Sequence, residues 1–156
     1  MKSLFFYQFS ITTQKIFTAS SVNEHRKIDW HEFEALLNDA GCPMLDVTRD
    51  FFSTFAYCEI KFCNAENSTW QDRLIIDPTG CMDREDRIDL ENAFNLNLCP
   101  LGYLSQGEDV MIDEDGKMYI LYCGTMYFIA NNLISGIEDI LNGKNWWLNP
   151  TIKIIE

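Results

Sequence analysis

The stretch from Val110 to Ala130, VMIDEDGKMYILYCGTMYFIA, decides the fold. Val110-Met111-Ile112 is apolar and reads as a strand. Asp113-Glu114-Asp115-Gly116 is a turn, because Gly116 takes positive φ at little steric cost. Lys117 to Tyr122 returns as a second strand. Met118 and Ile120 lie on one face of it, Tyr119 and Leu121 on the other. Gly124 turns the chain again into a third strand, Thr125 to Ala130, which completes a meander. Asn131 or Asn132 then caps a helix over Leu133 to Leu141. Its buried face is Ile134, Ile137 and Leu141, and Gly143 ends it. The tail Trp146-Trp147-Leu148-Asn149-Pro150 is expected to fold back, since three large apolar groups in water are unfavourable.

Upstream, Leu98-Cys99-Pro100-Leu101-Gly102 is apolar but punctuated. Residues 83–94 fit a short helix with Ile88, Leu90 and Phe94 inward. Arg73 to Asp77 is a short strand ended by Pro78 and Gly80. Glu59-Ile60-Lys61-Phe62-Cys63 alternates and is another strand, followed by a polar loop with Asn64, Asn67 and Ser68. A helix over Val47 to Ala56, capped by Asp46, turns Val47, Phe51, Phe52 and Phe55 inward. A helix over Trp30 to Asp39 has Asp29 and Glu32 as a capping box and Trp30, Phe33, Leu36 and Leu37 on one face. Gly41 and Pro43 stop it. Residues 1–28 are the least legible part, with a short helix at Thr13 to Ala19 that buries Ile16 and Phe17. Helices, then a meander, then a helix is the order of an α+β domain, an antiparallel sheet packed against helices.

The chain has 156 residues, 47% of them apolar. That length suits one domain over residues 1–156, with a core that needs neither metal nor disulfide. Twelve Lys and Arg stand against 24 Asp and Glu, so the formal net charge is −12. Such a chain is repelled by nucleic acid and anionic membranes and attracted to basic proteins. No window approaches a membrane span, and Leu4-Phe5-Phe6-Tyr7 is too soon interrupted to be a secretion leader. Six cysteines (Cys42, Cys58, Cys63, Cys81, Cys99, Cys123) have no metal-ligand spacing and read as reduced thiols of a cytosolic protein. Asn67-Ser68-Thr69 is a formal glycosylation triplet of no weight in that compartment.

Catalytic constellations fail one by one. His25 and His31 lack further ligands at a recognisable spacing. Cys42 follows a helix end, where nothing depresses a thiol pKa. Asp113-x-Asp115-Gly116 fails as a calcium loop, because the glycine in its required place puts Met111 and Tyr122 at ligand positions. Phosphate loops and nucleophile elbows are absent, and no cofactor is implied. The charge placement is informative instead. Between Asp77 and Asp115 eleven carboxylates face two arginines, Arg84 and Arg87, a net charge of −9. One reading is a solvated face. The sharper one is a docking surface made of Asp83, Glu85, Asp86, Asp89, Glu91, Glu108, Asp109, Asp113, Glu114 and Asp115. Tyr103 or Tyr119 would anchor it, although Tyr119 suits the core equally.

Four segments together resemble the SUKH superfamily of immunity proteins, in particular its third subgroup, with a Smi/Knr-like fold. They are WHEFEALLNDAGCP (30–43), VTRDFFSTFAY (47–57), Cys99-Pro100-Leu101-Gly102 with Gly107 and VMIDEDGKMYIL (110–121), and the closing helix with Leu141-Asn142-Gly143. The resemblance covers residues 28–143. It implies an α+β domain without catalytic activity that acts in the cytosol and binds a polymorphic toxin, many of which are nucleases or deaminases. The expected partner is a basic toxin domain. The other readings are a scaffold module with a non-toxin partner, and a small hydrolase using dispersed acids, which would need a deep polar pocket. An apolar edge on the meander is able to pair with a second copy, and the sequence sets no oligomeric state.

Overall fold

The computed structural model describes residues 3–42, 44–63, 71–80 and 84–153. Pro43, the loop with Asn64, Asn67 and Ser68, Cys81 and Asp83 lie outside the described residues. Strands β1 (Glu59–Cys63), β2 (Gln71–Ile75), β3 (Leu98–Leu104), β4 (Asp109–Asp113), β5 (Met118–Tyr122), β6 (Thr125–Ala130) and β7 (Thr151–Lys153) make one sheet. Its order is β1-β2-β3-β4-β5-β6-β7, and every neighbouring pair is antiparallel. The three strands read at 110–130 are thus part of a seven-stranded meander.

The alternation in β5 sorts the sheet into two faces. Met118 and Ile120 join a large core with Ile60, Leu74, Leu101 and Val110, while Tyr119 and Leu121 join a smaller one with Leu98, Met111 and Met126. The large core is covered by α1 (Ile11–Ala19), α2 (His31–Asp39), α3 (Asp46–Phe55) and α5 (Leu133–Leu141). Phenylalanine rings weld the N-terminal segment to α3. Phe9 and Phe55 flank Phe17 at centroid distances of 4.9 and 4.6 Å, within the range in which aromatic pairs attract beyond simple burial. The second face is covered by α4 (Arg84–Phe94), which inserts Leu90. The sequence showed one covered face; the structure has two.

The central β3 carries the residues that obscured it. A proline has no N–H for the ladder and is found in sheets at bulges or edges. Here the register slips between Pro100 and Gly102. At Gly102 a Cβ would stand 2.0 Å from the Ile75 carbonyl oxygen, so the neighbouring strand passes too close for any side chain. β2 ends at Ile75 rather than Asp77. Asp77 is taken by its own turn, where its Oδ1 accepts from the Thr79 amide at 2.9 Å.

Local expectations are corrected at five points. Leu36 in α2 is 46% exposed, and Val47 in α3 is 38% exposed. Asp46 is the first residue of α3 rather than its cap, and it pairs with Arg49. Asp29 accepts the His31 amide at 3.0 Å but Trp30 occupies the cap position. Leu148 is 75% exposed, although the tail does fold back through Trp146. At α5 the cap is Asn132, whose Oδ1 accepts the Ser135 amide at 2.8 Å.

Candidate partner-binding surface

The first turn of helix α4 carries Glu85 and Asp86, whose charges suit the positive end of the helix dipole. Its inner side is pinned by Arg87, only 3% exposed. The guanidinium donates to Glu91 Oε1 at 2.8 Å and to the Ala40 carbonyl at the end of α2 at 2.5 Å. Glu91 Oε1 also accepts the Leu98 amide at 2.9 Å. One ion pair therefore fastens α4 to α2 and to the first residue of β3. Arg87 is turned inward, and the outer side of α4 presents Glu85, Asp86 and Asp89.

The other sequence-selected residues divide by depth. Asp109, at the start of β4, is half-buried close to Asp86. Burial, reinforced by Asp86 and Glu108, pushes its carboxyl up to about 6. Tyr103 pairs across the sheet with Asp109 and with Ile75, and its ring lies over the Pro78–Gly80 turn. Glu114 and Asp115 are exposed at the β4–β5 turn, with Glu114 accepting from Asn97 at 2.6 Å.

Three expected contact residues are instead internal. Asp113 is 1% exposed. Its Oδ1 accepts the Asp115 and Lys117 amides, both at 2.9 Å, and its Oδ2 accepts the Tyr119 hydroxyl at 2.8 Å. Tyr119 is core, and burial followed by its bond to Asp113 raises the phenol above its ordinary value. Glu108 is buried, accepts the Gln106 amide at 3.0 Å, and has its carboxyl pushed up by desolvation. Glu91 belongs to the Arg87 pin. The signal for Asp113 was present in the pattern. It shares strand parity with Met111, so it faces the smaller core.

His31 stacks on Trp30 and bonds Asp29 twice, through its amide at 3.0 Å and its ring Nδ1 at 2.6 Å, and the amide bond foremost holds the Asp29 carboxyl below its ordinary value. Burial pushes the thiols of Cys42 to about 11 and Cys99 to about 12, away from the thiolate form a nucleophile needs. Cys42, Cys58, Cys63, Cys99 and Cys123 are free thiols. Among the described residues no group of three or more His, Cys, Asp or Glu is arranged to hold a metal ion. A cavity of about 470 Å³ between the N-terminal segment and α3 contains one carboxylate, Asp50, beside Arg26 and Lys27. That is not the set of converging acids a hydrolase reading required. Among the described residues no helix is long and apolar enough to cross a membrane.

The chain is an α+β meander domain with helices on both faces of the sheet and an acidic, polar outer helix, an architecture that does not by itself assign a function. The chain belongs to the SUKH-3 immunity protein family, whose sequence model matches residues 9–143. The match begins before residue 28 and so takes in α1, and the family is one of immunity proteins rather than enzymes. No curated protein and no solved structure matches the chain.

Proposed function

We propose that this protein neutralises a basic toxin domain, a nuclease, by binding it in the cytosol of the producing cell and occluding its substrate cleft. The observation that carries this is the exposure of Glu85, Asp86, Asp89, Glu114 and Asp115 while Arg87 is drawn into the interior. A nuclease needs a positive cleft to hold phosphates. A surface with these carboxylates outward and Arg87 inward complements such a cleft and repels acidic competitors. Inhibition of this kind needs coverage and no chemistry.

The test is a pull-down from the producing cells and their secreted fraction at low and moderate salt, followed by a nucleic-acid cleavage assay on what is retained. The expected result is one basic domain that cleaves nucleic acid, is silenced by this protein and is released by salt. Retention of a non-toxic protein alone would replace immunity with a scaffold role. A toxin without nuclease activity would overturn the nuclease assignment.

A further inference from the structure

On the face of the sheet opposite α4, but at the same end of it, four aromatic side chains form a corner. Trp146 sits edge-on to Tyr127 at 4.9 Å, to Trp147 at 5.6 Å and to Tyr122 at 6.2 Å. Tyr122 is 37% exposed, and the two tryptophans are half-buried. The 3-10 turn Trp146–Leu148 that holds the indoles is well tied. The Asn149 amide donates to the Trp146 carbonyl at 2.9 Å, and Asn149 Nδ2 donates to the Phe128 carbonyl at 3.0 Å. The aromatic surface is thus set before any partner arrives, which lowers the ordering cost of binding.

Two carboxylates lie beneath it. Asp72, 8% exposed, lines the same small cleft as Trp146, Trp147, Phe62 and Leu104. Glu108, 6% exposed, precedes Asp109 and so falls opposite Tyr122 by the β4–β5 register. The Arg73 amide and the Ser105 hydroxyl donate to Asp72 Oδ1. Asp72 raises the carboxyl of Glu108, and Glu108 adds to the rise of the Tyr122 phenol, which Cys123 leads. No Lys, Arg or His among the described residues pairs with either carboxylate; Lys144, on the same cleft, bonds Asp139 at 3.3 Å. Both carboxylates thus lie under the aromatic corner without an ion-pair partner among the described side chains.

We propose that the corner of Tyr122, Tyr127, Trp146 and Trp147 above Asp72 and Glu108 seats an arginine-bearing loop of the protein partner. A guanidinium is planar, stacks on indole and phenol faces, and is desolvated more readily than an ammonium. Tyr and Trp are also the residue types that dominate the centres of protein interfaces. Glu108 and Asp109 point to opposite faces of one strand end, so a partner gripping that end meets the aromatic corner on one side and Asp86 with Asp109 on the other. The inference rests on the reading that the partner is a basic protein, and it assigns the corner to tight seating where the outer face of α4 supplies attraction at a distance.

The experiment uses the full chain and the peptide acetyl-Gly-Arg-Leu-Arg-Gly-amide, with lysine and citrulline counterparts, followed through the tryptophan indole N–H resonances. Trp146→Phe and Trp147→Phe assign the peaks, and the wild-type titration needs no disruptive variant. The expected result is movement of the Trp146 and Trp147 resonances, with the arginine peptide binding about tenfold more tightly than the lysine one and citrulline not at all. Equal responses to all three peptides, or movement of the α4 amides with the indoles unmoved, would overturn the proposal. So would movement of the same indoles on concentrating the protein alone, which would give the corner to a second copy of the chain. No toxin is needed, so failure here is separate from failure of the immunity reading.

Discussion

Asp113 accepts three hydrogen bonds, two from amides of its own turn and one from the Tyr119 hydroxyl. Removing the carboxylate strands a buried hydroxyl and two turn amides, so Asp113→Ala is expected to cost about 2–3 kcal/mol. Urea unfolding measures this, and a loss of only a few tenths would mean water replaces the side chain. Asp109 behaves in the opposite sense. Its folded pKa of about 6 stands above the ordinary 3.8. Between these values the folded protein holds a proton that the unfolded chain has released. Stability from this group therefore falls as pH rises through that window and is level above it. Asp109→Asn is expected to raise the urea midpoint at about pH 7.5 and to lose that advantage near pH 4. An unchanged midpoint at the higher pH would show that Asp109 is fully solvated. Charge alone made these two residues look alike in the sequence; burial separates them, and only strand parity hinted at it.

Among the elements, those with one clean period were legible. The strand at Glu59–Cys63, the strand at Thr125–Ala130 and the helix at Leu133–Leu141 have the bounds their patterns gave. β3 was not legible, because Pro100 and Gly102 are strand breakers by composition, and here they serve a bulge. Gly102→Ala is expected to cost several kcal/mol, since the new methyl would collide with the backbone of Ile75 rather than with a side chain able to turn away. A thermal melt would check it, and a near-native Tm would mean that β2 moves aside cheaply. The placement of the candidate surface residues was half legible. The acidic helix showed in composition, but the inward turn of Arg87 depends on the Ala40 carbonyl and Glu91, which no local pattern reveals. Arg87→Ala leaves Glu91 without its counter-ion and is expected to cost about 3 kcal/mol. Amide exchange should quicken throughout α4; exchange confined to its ends would deny Arg87 its pinning role.

At the scale of the whole molecule, a net charge of −12 acts before contact is made. Reversing Glu85, Asp86 and Asp89 to lysine is expected to slow association with the proposed basic toxin domain about tenfold in low salt and little at about 0.5 M salt. Stopped-flow mixing reads this directly. An unchanged rate at low salt would remove α4 from the steering surface and leave the charge as a matter of solubility. The strand order has a consequence in time rather than in space. Each described strand pairs with its neighbour in the chain, although α4 lies between β2 and β3 and α5 between β6 and β7. Hairpins close quickly and locally, so β3 to β6 can be laid down in the order in which the ribosome delivers them. Those four strands can pair while the tail is still emerging, and β7 alone among the described strands must wait until that tail has been made.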